Sequence, residues 1–82
     1  MIPTKICGIT NLDDANVAVE NGASAIGFIF YEKSPRAISI ENAKSISKQL
    51  SYSVSRVGVF VNQNKDFIDK TISEVQLNMI QL

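Results

Sequence analysis

The 82-residue sequence has no histidine, a single cysteine and no excess of charge of either sign. One cysteine cannot form an internal disulfide, and without a cluster of Cys and His residues the sequence has no zinc-binding motif. The eight basic and eight acidic residues cancel and are interleaved, which argues against a nucleic-acid-binding surface. We therefore expect no metal site, no nucleic-acid partner and a reducing, cytoplasmic environment.

Long hydrophobic runs are also missing. The longest stretch dominated by apolar residues, 23–31, is far shorter than the roughly 20 residues that span a bilayer. The opening segment MIPTKICGIT has no extended apolar region after its lysine, so it does not resemble a secretion signal. Because 45% of the residues are apolar, the composition is that of a globular protein without membrane contact, and the length allows one domain at most.

Short apolar runs alternate with segments of helical spacing along the whole chain. Each run has the length of a buried parallel strand, and the middle two are rich in Val, Ile and Phe. The runs cover residues 6–9, 25–30, 57–61 and 79–82. The predicted order is therefore β-α-β-α-β-α-β, an α/β arrangement with parallel strands and right-handed crossovers.

The three predicted helices begin at residues that favour a helix N-terminus: Thr10-Asn11, Ser39 and Asn64. The first should end at Asn21-Gly22, where glycine can adopt the left-handed conformation. Each helix has one apolar face, composed of Leu12, Ala15 and Val19 in the first, of Ile40, Ala43, Ile46 and Leu50 in the second, and of Phe67, Ile68, Ile72 and Val75 in the third.

Two architectures fit this order. In a (β/α)8 barrel all helices lie outside the sheet, whereas a doubly wound, flavodoxin-like sheet carries helices on both faces. Four strands and three helices are less than half of a barrel, whose usual length is about 250 residues. In the barrel interpretation, residues 1–82 form a single partial domain, consisting of the first three βα units and the fourth strand.

Ligands of such sheets bind at the carboxyl ends of the strands, and Cys7 lies there, just before the first helix. Alternation places Lys5, Cys7 and Ile9 on one face of the first strand and Ile6 on the face towards the helices. Lys5 does not suit a dry helical layer, so this face should line an interior site. Cys7 is either a small packed residue or a thiolate favoured by the helix N-terminus and Lys5.

A second group of candidate residues follows the later strands. Pro35 makes the loop YEKSPRAIS extended and leaves Arg36 at the same end of the sheet as Cys7. The Arg36 guanidinium could bind a carboxylate or phosphate, or it could be an ordinary solvated surface group. Asn62 and Gln81 follow the third and fourth strands and could reach a ligand, although Asn62 could equally begin a turn.

Glycines inside three of the predicted strands indicate that another group lies close to the backbone at these positions. Gly8, Gly27 and Gly58 are unfavourable in strands unless another group occupies the space beside them. None of them belongs to a phosphate-binding loop motif.

Several segments together resemble the phosphoribosylanthranilate isomerases of tryptophan biosynthesis. They are KICGIT near the start, GASAIGFIFYEKSPRAIS in the middle, then RVGVFVN and the closing QL. They occur in the family's order across essentially the whole chain. The resemblance implies a TIM barrel of about eight βα units and an intramolecular aldose–ketose isomerase acting on a phosphosugar–anthranilate substrate.

The resemblance also implies roles for individual residues. Cys7 would be the general base that takes the proton from the sugar C2, and Arg36 would bind the anthranilate carboxylate. Lys5 and Gln81, on strand one and at the end of strand four, are further candidates for substrate binding. No metal and no organic cofactor is implied.

Two parts of the family's site have no counterpart in these 82 residues. The general acid is an aspartate on about the sixth strand, and the phosphate site follows strands seven and eight. We therefore expect the 82-residue chain to be inactive alone and to self-associate through an exposed inner face of its sheet. The alternatives are a non-catalytic half-barrel and a small flavodoxin-like binding module.

Overall fold

The computed structural model describes residues 5–82, so the first four residues of the segment MIPTKICGIT lie outside the described residues. The predicted alternation of strands and helices is confirmed. The elements are β1 (Lys5–Cys7), α1 (Leu12–Glu20), β2 (Ala25–Ile29), α2 (Ile40–Lys48), β3 (Ser55–Val59), α3 (Lys65–Val75) and β4 (Met79–Gln81). None of the helices in residues 5–82 is long and apolar enough to cross a membrane.

The four strands form one parallel sheet in the order β1-β2-β3-β4. Each strand therefore pairs with the next one in the sequence. The predicted boundaries of β3 were wrong by two residues, because Ser55 and Arg56 already pair with Ala25 and Ile26 of β2. The polar character of these two residues had hidden the start of the strand.

All three helices cover the same face of the sheet. Ala15 of α1, Ala43 of α2 and Val75 of α3 belong to one buried cluster with Ile26 and Phe28 of β2. A flavodoxin-like sheet would need helices on both faces. The arrangement is instead that of consecutive βα units of a TIM barrel, as predicted.

The helix N-termini are set by side chains, as the sequence indicated. Asn11, Ser39 and Asn64 each accept a hydrogen bond from the backbone N–H three residues later. Gly22 follows α1 with φ of +93°, the left-handed conformation expected at a helix C-terminus.

The sheet face opposite the helices is called here the inner face, and no described element covers it. By strand register it carries Lys5, Cys7, Ala25, Gly27, Ile29, Ser55, Val57, Val59, Met79 and Gln81. Its centre is nevertheless buried, since Val57 is only 4% exposed. Among the large apolar residues of this face, only Met79, on the outer strand β4, is exposed, at 54%.

The predicted orientation of Ile9 was wrong. Ile9 is 5% exposed and belongs to the cluster beneath the helices, on the opposite side from Cys7. The strand ends at Cys7, and Gly8 has φ of +85°, so the alternation of side chains does not continue beyond it. The neighbouring Ile6 does lie on the helix side, as expected, beside Val17 and Ala18.

Arg56 is a buried charged residue on the helix side of β3, and the sequence analysis did not single it out. Its guanidinium donates to the carbonyl oxygens of Ser47, Leu50, Ser51 and Val54, and its Nε donates to the Ser47 hydroxyl. Cations and donors of this kind satisfy the free carbonyl groups at a helix C-terminus. Arg56 thereby holds the end of α2 and the following loop on the sheet.

The Ser47 hydroxyl extends this network to α3. It donates to the carbonyl oxygen of Val75 at 2.7 Å. On the surface, Lys44 forms an ion pair with Glu74 at 3.0 Å, and this hydrogen bond lowers the pKa of the Glu74 carboxyl below its ordinary value. These contacts fix α2 against α3 on the outside of the sheet.

Candidate active site

Cys7 is the last residue of β1, and its side chain lies over Gly27 of β2. A Cβ atom added at Gly27 would be only 2.9 Å from the Cys7 Sγ. The thiol therefore occupies the space that a side chain at position 27 would need, as the strand glycine predicted. Cys7 is partly exposed on the inner face rather than sealed in the core beneath the helices, so its thiol is accessible to a ligand.

Arg36 lies against Gly8, the residue directly after Cys7. A Cβ added at Gly8 would be 2.6 Å from the Arg36 Cδ and 3.3 Å from its Nη1. The side chain of Arg36 therefore crosses the end of β1, and the two candidates lie at the same edge of the sheet, as predicted. The residue is exposed, so its guanidinium can bind an anionic ligand by donating hydrogen bonds to it.

The loop before α2 holds the backbone of Arg36. Its N–H donates to the hydroxyl of Ser34 at 3.2 Å. The next two residues are also tied down, because Ala37 donates to the Ser34 carbonyl and Ile38 donates to the carbonyl of Ile29 at the end of β2. The S-P-R segment is thus an ordered turn attached to the sheet.

Lys5 and Gln81 meet across the inner face. The Lys5 Nζ donates to the Gln81 Oε1 at 2.6 Å, although the two residues belong to the opposite edge strands β1 and β4. The two side chains together span β2 and β3, which requires the sheet to be concave on this side. The bond brings the ammonium group towards the carboxyl ends of the strands, where ligands bind.

Asn62 and Gln63 follow β3 at the same edge. Asn62 has φ of +56°, the left-handed conformation that favours its interpretation as a turn residue. Gln63 donates to the carbonyl oxygen of Phe30 at 2.9 Å and accepts from the backbone of Val61. It connects the loops after β2 and β3, a role that the sequence pattern did not reveal because it depends on the pairing of these strands.

The described residues 5–82 contain no group of three or more His, Cys, Asp or Glu side chains close enough to bind a metal ion. A surface cavity of about 420 Å³ lies between β1 and α1, on the helix side. Its lining includes Ile6, Ile9, Val17 and Ala18, so it is separate from the thiol and the guanidinium.

A parallel sheet with all its helices on one face, and with polar side chains at the carboxyl ends of its strands, is the arrangement of consecutive units in the class of (β/α)-barrel proteins. Within residues 5–82, the thiol, the guanidinium and the ammonium group are all on or beside the inner face. In a barrel this face points to the interior, and its carboxyl end forms the mouth of the site.

Comparison with known proteins narrows this class to one family. The sequence matches the family of N-(5'-phosphoribosyl)anthranilate (PRA) isomerases over residues 4–82, and the chain belongs to this family. The N-(5'-phosphoribosyl)anthranilate isomerase of Thermotoga petrophila is 56% identical over 82 residues, which are 100% of this chain and 40% of that protein. The chain thus spans about 40% of the length of the curated relatives it matches.

Solved structures agree in fold. The crystal structure of phosphoribosyl anthranilate isomerase from Thermotoga maritima superposes with a TM-score of 0.97 at 56% identity, covering 100% of this chain and 40% of that one. A structure of the isomerase in complex with reduced 1-(o-carboxyphenylamino)-1-deoxyribulose 5-phosphate gives the same TM-score of 0.97 and identity of 56%, covering 42% of its chain. The predicted family and the partial TIM-barrel fold are therefore confirmed.

Proposed function

We propose that this chain provides the first three βα units and the fourth strand of a phosphoribosylanthranilate isomerase, including its general base and its carboxylate-binding arginine. The observation that carries the proposal is the placement of Cys7 and Arg36 at one edge of the sheet, in a chain that matches the isomerase family over residues 4–82. The reaction is an Amadori rearrangement, which converts an aminoaldose phosphate into an aminoketose phosphate.

The proposed base is the Cys7 thiolate. Opening of the sugar ring gives a protonated C1=N imine, which acidifies the C–H bond at C2. Cys7 takes this proton, the C–H electrons form a C1=C2 double bond, and the C=N electrons return to nitrogen. Loss of the C2 hydroxyl proton and protonation at C1 then give the ketone, with no net oxidation and no cofactor. A base with a pKa near the working pH is effective in such a step.

The proposed substrate contacts follow from charge and position. Arg36 presents an exposed side chain against Gly8, the residue that follows the proposed base, and guanidinium groups bind carboxylates with two parallel hydrogen bonds. We assign the anthranilate carboxylate to it. Lys5 and Gln81, joined at 2.6 Å on the inner face, offer donors and an acceptor for the polar groups of the opened sugar.

A fusion protein tests this function. Residues 1–82 would replace the matching segment of the Thermotoga maritima isomerase, so that the remaining strands come from that enzyme. We expect the fusion to convert N-(5'-phosphoribosyl)anthranilate, and the 82-residue chain alone to show no turnover above background. A folded but inactive fusion would contradict the proposed function and favour a non-catalytic half-barrel. Turnover by the chain alone would contradict the need for an acid outside it.

We also propose that the isolated chain self-associates through its outer strands, β1 and β4, rather than through the buried centre of the inner face. The free side of each outer strand is called here a side edge of the sheet. Both side edges carry exposed apolar groups: Ile6 and Val17 at the β1 edge, and Met79, Ile80 and Leu82 at the β4 edge. The outer strands also have backbone groups without a neighbouring strand in the sheet of residues 5–82. Edges of this kind favour pairing with another chain.

Sedimentation velocity over a range of concentrations tests this association. We expect a sedimentation coefficient above that of a monomer, and a decrease towards the monomer value in Ile80→Lys, because a charge at the edge opposes strand pairing. Val61→Lys is a matched control, since Val61 follows the interior strand β3 and is 42% exposed, compared with 41% for Ile80. A monomer at all concentrations, or an equal effect of both lysines, would overturn the proposal.

A further inference from the structure

Gly8 separates the two side chains to which we assign the chemistry. It follows Cys7 directly, and the aliphatic part of Arg36 lies against it. We propose that Gly8 is a positioning residue, whose missing side chain allows the Arg36 guanidinium to lie beside the Cys7 thiol. This inference rests on the proposed roles of these two residues. It adds that their separation is determined by a third position, which itself does not contact the substrate.

The space at Gly8 is too small for any side chain while Arg36 stays in place. The nearest atom to an added Cβ is the Arg36 Cδ at 2.6 Å, and the Arg36 Cβ is 3.6 Å away. Close packing makes a separation of 2.6 Å between carbon atoms strongly repulsive, since their optimal distance is about 3.5–4.0 Å. Either Gly8 or Arg36 must therefore move when position 8 carries a side chain.

The backbone at Gly8 cannot easily yield. The N–H groups of Gly8 and Ile9 both donate to the carbonyl oxygen of Gly27, at 3.0 and 3.2 Å, so two bonds fix this turn to β2. The side chain of Ile9 is 5% exposed within the core, which holds the chain from the other side. A shift at position 8 would disturb all of these contacts.

The backbone of Arg36 is also held, so the side chain is the part of this residue that can yield. The contacts described above attach residues 36–38 to Ser34 and to the end of β2. The guanidinium itself is exposed, and no hydrogen bond from it to the protein is found within residues 5–82. A side chain at position 8 would therefore displace the Arg36 side chain and move its charge away from the thiol.

The test uses the 82-residue chain and its single thiol. Alkylation of Cys7 is measured by mass spectrometry with iodoacetate, which carries a carboxylate, and with iodoacetamide, which is neutral. The ratio of the two rates reports a cation near the sulfur, because the ionisation of the thiol affects both reagents equally. A unit charge about 4 Å from the reagent's carboxylate corresponds in water to about a fivefold change in this ratio. Arg36→Ala supplies the reference value without the cation.

Gly8→Asn is the informative variant, since asparagine tolerates the left-handed conformation better than most residues. Gly22→Asn is its matched control: Gly22 has φ of +93°, close to the +85° of Gly8, but an added Cβ would meet no atom within 4 Å. We expect Gly8→Asn to lower the iodoacetate-to-iodoacetamide ratio to the value of Arg36→Ala, and Gly22→Asn to leave it unchanged.

Three outcomes with folded variants decide against the inference. An unchanged ratio in Gly8→Asn shows that Arg36 keeps its place, and an equal decrease in Gly22→Asn assigns the effect to backbone strain. If Arg36→Ala itself leaves the ratio unchanged, the proposed carboxylate site beside the thiol fails as well. If Gly8→Asn does not fold, Arg36→Ala is added to it: recovery of the folded circular dichroism spectrum supports the contact, and no recovery overturns it.

Discussion

Replacing Cys7 with alanine in the active fusion protein should lower kcat by about 10²–10⁴-fold, the contribution that a positioned general base makes to catalysis. The thermal unfolding temperature should change little, because Cys7 is partly exposed on the inner face and is not part of the buried cluster beneath the helices. Steady-state kinetics and thermal unfolding of the same preparation measure the two effects.

Cys7→Ser separates the loss of the base from the loss of packing. Serine preserves the size of the side chain over Gly27, but its hydroxyl is a weak base without an activating partner. We expect it to be nearly as inactive as Cys7→Ala. Near-normal turnover in either variant would remove Cys7 as the base, and a large loss of stability would instead make it a packing residue.

Arg56→Met should lower the free energy of unfolding of the 82-residue chain by about 3–5 kcal/mol, since it leaves several carbonyl groups without their donor and each such buried group costs about 1–3 kcal/mol. The guanidinium is the common donor to four carbonyl groups around the end of α2. Methionine fills much of the same volume but donates no hydrogen bond. Urea unfolding followed by circular dichroism measures the difference.

Two variants distinguish the hydrogen-bond network from charge alone. Arg56→Lys keeps the charge but has only three donors and no planar fork, so we expect an intermediate loss of stability. Lys48→Met removes an exposed cation from the last turn of the same helix and should have an effect below about 1 kcal/mol. Equal effects of Arg56→Met and Lys48→Met would show that the buried contacts contribute nothing beyond charge.

The helices could be predicted closely because their signals are local. The helices are capped at the predicted positions by Asn11, Ser39 and Asn64. The side-chain oxygen of each accepts a hydrogen bond from the backbone N–H three residues later. Gly22 ends α1 as expected. Such interactions lie within one turn of the chain, so the sequence contains both partners side by side.

Features that depend on partners distant in the sequence were predicted less well. The first residues of β3 were missed because Arg56 appeared too polar for a buried strand, and its partners come from the end of α2. Ile9 was placed on the wrong face because strict alternation was continued past Gly8. In both cases the chain departs from the simple pattern of one strand, for reasons found in the neighbouring elements.

The residues of the candidate site also differ in how well their positions could be predicted from the sequence. The placement of Cys7 and Arg36 at one edge followed from parallel topology alone, since all strands end on the same side. The bond between Lys5 and Gln81 could not be inferred, because it depends on the curvature of the whole sheet. The close contact of Arg36 with Gly8 could not be inferred either, because the only signal in the sequence was a glycine inside a predicted strand.

The order β1-β2-β3-β4 has a consequence for how the protein is made. Lys5 pairs with Ala25, Ala25 with Ser55, and Val57 with Met79, so no pairing spans more than one βα unit. Each new strand leaving the ribosome finds its neighbour already synthesised, and the sheet can grow in the direction of translation. The thiol of β1 and the guanidinium that follows β2 can therefore be brought together while most of a full-length barrel is still untranslated.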